Sequence, residues 1–262
     1  MAKKQAAPRV VLIVGANRGI GYHLVKRLLE LGDFVSALDI ETDNLEKLRE
    51  TRPDQFISIT ADAAKDEDIH YGVSETIKQF GKIDIAVHNA CLCTFESASN
   101  SSDELYRKVM DINFFGALRL SKVVLPAMRK QGFGRIIFTS SGVGVTGFGN
   151  ISPYASSKGA VEALAKCLEI ENQEYGISFH LFHPPLTNTA SSSGLPVPKE
   201  MMAAPQKVGK GLAEHIGSKK FVICHSFSQA MQMNLCYRHP LFMGKMMWKM
   251  TARAEQNKNE SN

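Results

Sequence analysis

No stretch of the 262-residue chain approaches the roughly 20 consecutive apolar residues that a membrane-spanning helix needs. The start, Met1-Ala2-Lys3-Lys4, is basic like the head of a signal peptide. The apolar run that follows, Val10–Val14, ends in Gly15-Ala16-Asn17-Arg18 and is too short and polar for a signal core. The expected compartment is the cytoplasm. Cysteine is sparse and unpaired: Cys91, Cys93, Cys167, Cys224 and Cys236 are odd in number and contain no Cys-x-x-Cys, which argues against a disulfide framework. Cys91-x-Cys93 has no second pair beside it, and the eight histidines are scattered, so no metal centre is expected. Charge of one sign is also lacking. The net value of +5, from 31 basic and 26 acidic residues, is too mild to imply nucleic-acid binding.

What is present is an ordinary globular composition, 44% hydrophobic and 22% charged, on a chain long enough to bury a core without staples. Short apolar runs recur at Arg9–Val14, Phe34–Asp39, Gln55–Thr60, Ile83–His88, Arg135–Ser140, Ser178–His183 and Phe221–Cys224. Most are continuously apolar rather than alternating, as strands covered on both faces are. Helix-like stretches separate them, near 19–31, 43–51, 65–80, 102–130, 153–175 and 199–217. Asp43 and Ser102 are expected caps, and Gly32, Gly81 and Gly176 expected stops. This alternation predicts one α/β domain, a doubly wound parallel sheet with right-handed crossovers, over residues 1–254.

Two segments depart from the alternation. Residues 184–206 carry Pro184, Pro185, Pro196, Pro198 and Pro205 with Ser191-Ser192-Ser193-Gly194 among them. They follow the sixth strand, at the sheet edge where ligands bind in this architecture, so 184–217 is read as a substrate lid. Residues 226–254 are rich in methionine and form a helical extension that His239-Pro240 should break in two. That extension is expected to pack on the domain or a partner, to cover a lipid-like substrate, or to touch an anionic membrane surface. The polar end, 255–262, is expected to be disordered.

Gly15-Ala16-Asn17-Arg18-Gly19-Ile20-Gly21 lies between the first strand and first helix. Glycines there allow a tight turn and the close approach of a pyrophosphate to a helix amino end. Asp39 stands where the second strand should end, eighteen residues beyond Gly21. A carboxylate at that place accepts hydrogen bonds from ribose hydroxyls and repels a 2′-phosphate, which favours NAD(H). Arg18 is a cation that would instead welcome the phosphate of NADP(H), the alternative cofactor.

Tyr154 and Lys158 are four residues apart, on one face if 153–175 is helical. An ammonium beside a phenol favours phenolate and lowers its pKa from about 10 toward neutrality. Ser141 lies thirteen residues before the tyrosine; Ser140 competes with it, but neighbouring side chains on a strand face opposite ways.

The glycine spacing together with Ser141, Tyr154 and Lys158 resembles the classical short-chain dehydrogenase/reductase family, over residues 9 to about 225. The resemblance implies a Rossmann-type domain with a seven-stranded sheet. It implies Tyr154 as acid/base, Lys158 as its activator and a ligand of the nicotinamide ribose, and Ser141 as the holder of the substrate oxygen. Asn113, in Met110-Asp111-Ile112-Asn113, matches the family asparagine that supports Lys158 through a water. Asp62, followed by Ala63, matches the acid at the adenine edge. Asn89 and Ala90 survive from the family's Asn-Asn-Ala-Gly, while His88 and Cys91 replace its ends. Pro184 matches the family proline after the sixth strand, with Pro185 in place of glycine. Thr187 and Thr189 follow on the cofactor side, and Val14 replaces a threonine.

The implied reaction is hydride transfer between NAD(H) and a secondary alcohol or ketone, lipid- and steroid-like ones included, in a homodimer or homotetramer. Alternatives are an NADPH-dependent ketoacyl or 3-ketosphinganine-type reductase, whose branch the Pro184-Pro185 sequel resembles, and a dinucleotide-binding scaffold without turnover.

Overall fold

The computed structural model describes residues 7–195 and 197–260, with the side chains of 253–260 left aside. Seven strands form one sheet: β1 Val10–Val14, β2 Phe34–Asp39, β3 Phe56–Thr60, β4 Ile85–His88, β5 Gly134–Thr139, β6 Ile177–Phe182 and β7 Val222–Ile223. Every pairing is parallel, in the order β3-β2-β1-β4-β5-β6-β7. Strand β1 is wholly buried because the sheet is covered on both faces, as its unbroken Val-Val-Leu-Ile-Val foretells.

The helices are α1 Gly19–Glu30, α2 Glu46–Thr51, α3 Asp66–Phe80, α4 Asp103–Met110, α5 Gly116–Gln131, α6 Gly142–Thr146, α7 Ser152–Asn172, α8 Pro205–His215, α9 Phe227–Arg238 and α10 Pro240–Glu260. On one face of the sheet Val73 of α3, Val124 of α5 and Val161 of α7 share a core with Leu12, Phe138 and Phe179. On the other, Leu24 and Leu28 of α1 and Leu212 of α8 pack with Ile13, Val35 and Phe182. Each such side chain, fully buried, contributes about 1.5–3 kcal/mol of transfer free energy. A third, smaller core of Cys224, Met233, Cys236 and Met243 lies under α9 and α10.

Local signals and structure agree at several boundaries. The Ser102 side chain accepts from the Leu105 amide and caps α4, and Gly81 closes α3 at φ +80°. His239 ends α9 and Pro240 begins α10, so the extension is indeed two helices. Elsewhere the expectations need correction. The single helix expected at 102–130 is interrupted by a π segment, Asp111–Phe115, that carries Asn113. The helix expected from 199 is a 3-10 turn at Lys199–Met201, and α8 starts at Pro205, whose fixed φ and missing amide suit a first turn. Asp43 opens a 3-10 turn rather than capping it, because its carboxylate is engaged by the Asn17 side chain at 2.7 Å. Helix α10 continues to Glu260, through part of the stretch expected to be disordered. Ala, Glu, Gln and Lys are strong helix formers and extend a helix already anchored upstream. Ser261 and Asn262 lie outside the described residues.

Candidate active site

Strand order reverses beside β1, and the crevice between the carboxyl ends of β1 and β4 opens into a cavity of about 860 Å3. The glycine turn forms one end. Gly15 takes φ +86°, and a Cβ there would stand 2.3 Å from the Ala90 amide nitrogen, so the β1 and β4 loops touch only because glycine is present. The Asn89 side chain donates to the Gly15 carbonyl at 2.7 Å and accepts from the Thr139 hydroxyl at 3.0 Å, tying the turn to the end of β5. Gly19, at φ +54°, faces the Thr189 methyl at 3.0 Å from its missing Cβ, which brings the loop after β6 onto the same turn.

Asp39 Oδ2 accepts from the Asn17 amide at 2.8 Å, holding the turn against the end of β2. Arg18 is paired with Glu41 and lies 4.0 Å from Asp43. Its charge is therefore opposed on the spot. The hydrogen bond from Asn17, with Arg18 nearby, holds the exposed Asp43 carboxyl below its ordinary value.

At the other end of the cavity stand Ser141, Tyr154 and Lys158. Ser141 is the N-cap residue of α6, and Tyr154 and Lys158 share a face of α7. The Lys158 ammonium donates to the Thr139 carbonyl at 2.7 Å and lies 5.7 Å from the centre of the Tyr154 ring. Burial pushes the Tyr154 phenol well above its ordinary value. This reverses the direction expected from Lys158 alone: desolvation outweighs a cation committed to a carbonyl. Burial likewise lowers Lys158 and raises Cys93 to about 12.

Most of the predicted residues line this one cavity: Gly15, Arg18, Gly19, Ile20, Asp39, Asp62, Ala63, Asn89, Ala90, Ser141, Tyr154, Lys158, Pro184, Thr187 and Thr189. Three do not. Asn17 is buried, its side chain joining Asp43 and the Asn44 amide, so it braces the turn. Gly21 lies where a Cβ would meet the Gly15 carbonyl at 2.1 Å, a packing requirement. Asn113 exchanges hydrogen bonds with the Leu92 backbone and donates to Ser157 at 2.9 Å, one residue before Lys158. Its side chain makes no direct bond to Lys158.

Ser140, as alternation requires, turns away and donates to Glu162 at 2.5 Å. Glu162 also accepts from Tyr237 of α9 at 2.6 Å and lies 2.7 Å from His183. Burial opposes its charge, yet His183, Ser140 and Tyr237 together hold its carboxyl below the ordinary value. The sequence reading missed this cluster, although Glu162 stands four residues beyond Lys158 and eight beyond Tyr154, on their face of the helix. It also missed the apolar part of the cavity wall supplied by Phe95, Val143, Phe148 and Leu195, while Met233 and Met247 of the methionine-rich extension line the same cavity. No local pattern links residues so far apart.

Glycine turn, terminal acid and Ser-Tyr-Lys group thus meet in one crevice, and the family model for short chain dehydrogenase matches residues 9–197. The chain belongs to the classical short-chain dehydrogenase/reductase family. L-fucose dehydrogenase of Bos taurus is 32% identical over 179 residues, covering 68% of this chain and 66% of that one. The chain thus spans just under two thirds of that relative. 2-(R)-Hydroxypropyl-CoM dehydrogenase of Xanthobacter autotrophicus is 32% identical over 188 residues, 69% and 75% of the two chains. A short chain dehydrogenase/reductase from Burkholderia phymatum, solved in complex with NAD, superposes with a TM-score of 0.78 at 18% identity, over 88% of this chain and 93% of that one. That likeness is one of fold. As a member of this family the chain is an oxidoreductase.

The residues present fit a dinucleotide. The amino end of α1 has no acid in its first turn, Gly15 and Gly19 line the cavity there, and Asp39 stands at the end of β2. Among the described residues, no helix is long and apolar enough to cross a membrane.

Proposed function

We propose that this dehydrogenase interconverts a secondary alcohol and ketone with an extended apolar body, using NAD(H). The observation that carries the reading is that Tyr154 and Ser141 line the same cavity as the glycine turn and the apolar side chains of Phe95, Val143, Phe148 and Met233. A bound dinucleotide supplies or accepts the hydride. The Ser141 hydroxyl holds the substrate oxygen. The Tyr154 phenol, kept protonated by burial, donates its proton to that oxygen on reduction and recovers it on oxidation. Lys158 spends one N–H on Thr139 and keeps two donors for the cofactor ribose and the phenol.

Preference for NAD(H) is supported by the acids around Arg18. Asp39 and Glu41 line the adenosine end of the cavity, and Glu41 and Asp43 oppose the guanidinium. A 2′-phosphate would meet net negative charge there. The segment after Pro185 supports the role of a lid: Leu195, Val197 and Met201 join the cavity wall, and its two arms are held by the pairing of Leu186–Asn188 with Ala203.

A panel of long-chain and steroid-like ketones and alcohols, offered with each cofactor, tests the reading. Tyr154→Phe is expected to lower turnover by about 10²–10⁴-fold while NADH binding persists. Normal turnover by that variant would overturn the assignment. Dinucleotide binding without hydride exchange on any panel member would favour a scaffold.

A further inference from the structure

Residues 215–254 contain no Asp or Glu, yet hold Lys219, Lys220, Arg238, Lys245, Lys249 and Arg253. The run spans β7, α9 and the first part of α10. The same region carries the largest outward display of apolar side chains. On α9, Phe227, Met231 and Leu235 follow at intervals of four and form one exposed stripe; Phe227 is 80% exposed. Arg238 is exposed at the end of that helix. On α10, Leu241 and Phe242 are 71% and 68% exposed, and exposed Lys245 and Lys249 lie between these and Met246, Trp248 and Met250.

The inner faces of both helices are already occupied. Met233, Cys236 and Met243 pack together beneath them. A Cβ on Gly244 would stand 2.6 Å from the Thr146 carbonyl, so α10 is pressed against α6. Trp248 rests edge-on against Phe148, with ring centroids 5.4 Å apart, while Phe227, Met231, Leu235, Leu241 and Phe242 remain turned to the outside.

We propose that this outward face of α9 and α10 docks the protein on an anionic lipid bilayer surface. Aromatic and aliphatic side chains of this kind enter the headgroup boundary, and lysines beside them extend their stems through apolar surroundings to reach lipid phosphates. Cations and apolar groups must act together, since neither alone anchors a protein firmly. A second copy of the chain is the poorer occupant. A two-fold interface sets the same patch against itself, and this patch has cations without one acid to meet them. Met250 belongs both to the exposed face and to the cavity wall, so the docked surface adjoins the cavity.

The chain contains a single tryptophan, Trp248, 39% exposed on this face, and its emission reports docking directly. The full-length protein would be mixed with vesicles of phosphatidylcholine alone and with vesicles containing phosphatidylglycerol, followed by flotation and fluorescence. Binding to the anionic vesicles with a blue shift of Trp248 is expected, and its loss when salt shortens the Debye length to about 3 Å. Lys245→Glu with Lys249→Glu, and separately Phe227→Ser with Phe242→Ser, should each lower partitioning at least about tenfold. NADH binding shows that these variants are folded, and vesicle binding needs no substrate. Absence of binding, or equal binding to neutral vesicles, would overturn the proposal. A concentration-dependent dimer abolished by Phe242→Ser, with no vesicle binding, would assign the face to a second copy instead.

Discussion

Asn113 and Leu92 exchange two hydrogen bonds: the Leu92 amide donates to Asn113 Oδ1 at 2.7 Å, and Asn113 Nδ2 donates to the Leu92 carbonyl at 3.0 Å. The same Nδ2 reaches Ser157. One buried amide thus fixes the loop after β4 against α7 next to Lys158, and the π segment is the backbone geometry that carries it inward.

Asn113→Ala should leave two backbone groups of Leu92 without partners and destabilise the fold by about 1–3 kcal/mol in urea denaturation. Because the side chain positions rather than reacts, turnover should fall roughly 10- to 100-fold with the pH profile of the rate unchanged. Asn113→Asp, which keeps the acceptor for the Leu92 amide, should recover part of the stability. A normal rate in both variants would contradict a positioning role.

Cofactor choice is expected to follow the acids around Arg18. Asp39→Asn with Glu41→Gln keeps the acceptor for the Asn17 amide but removes two negative charges and the guanidinium's Glu41 partner. The ratio of NADP to NAD affinity, measured by calorimetry, should rise about tenfold or more, equivalent to roughly 1.4 kcal/mol. An unchanged ratio would remove the electrostatic account of specificity.

His88 and Gly116 should be energetically coupled. His88 is buried with Nε2 unpartnered, and burial, with Lys158 and Arg119 nearby, lowers its pKa to about 3 from 6.5. The unfolded chain therefore binds a proton near 6.5 that the folded chain refuses until about 3. This group makes stability rise with pH across that window, at up to about 1.4 kcal/mol per unit, and leaves it level above. His88→Asn should flatten that slope in equilibrium denaturation. A Cβ on Gly116 would lie 2.6 Å from His88 Nε2, so Gly116→Ala should cost about 1–3 kcal/mol alone and less beside His88→Asn. Strict additivity would show that the two do not compete for space.

The sequence alone determined the sheet, because a strand such as Val10–Val14, apolar on both faces, is stable only between two helical layers. It also determined the spacing of Tyr154 and Lys158, since helical periodicity is local, and the glycine turn, since positive φ at Gly15 and Gly19 is a property of single residues. Tertiary structure decided what local rules cannot reach. It broke the expected helix at Asn113, turned the Asp43 carboxyl from cap to partner of Asn17, and raised the Tyr154 phenol where a neighbouring cation had promised to lower it. It also gathered Ser140, Glu162, His183 and Tyr237 from four separate stretches of the chain. Each depends on burial and on contacts between distant residues, and desolvation acts only once the chain has closed around the group.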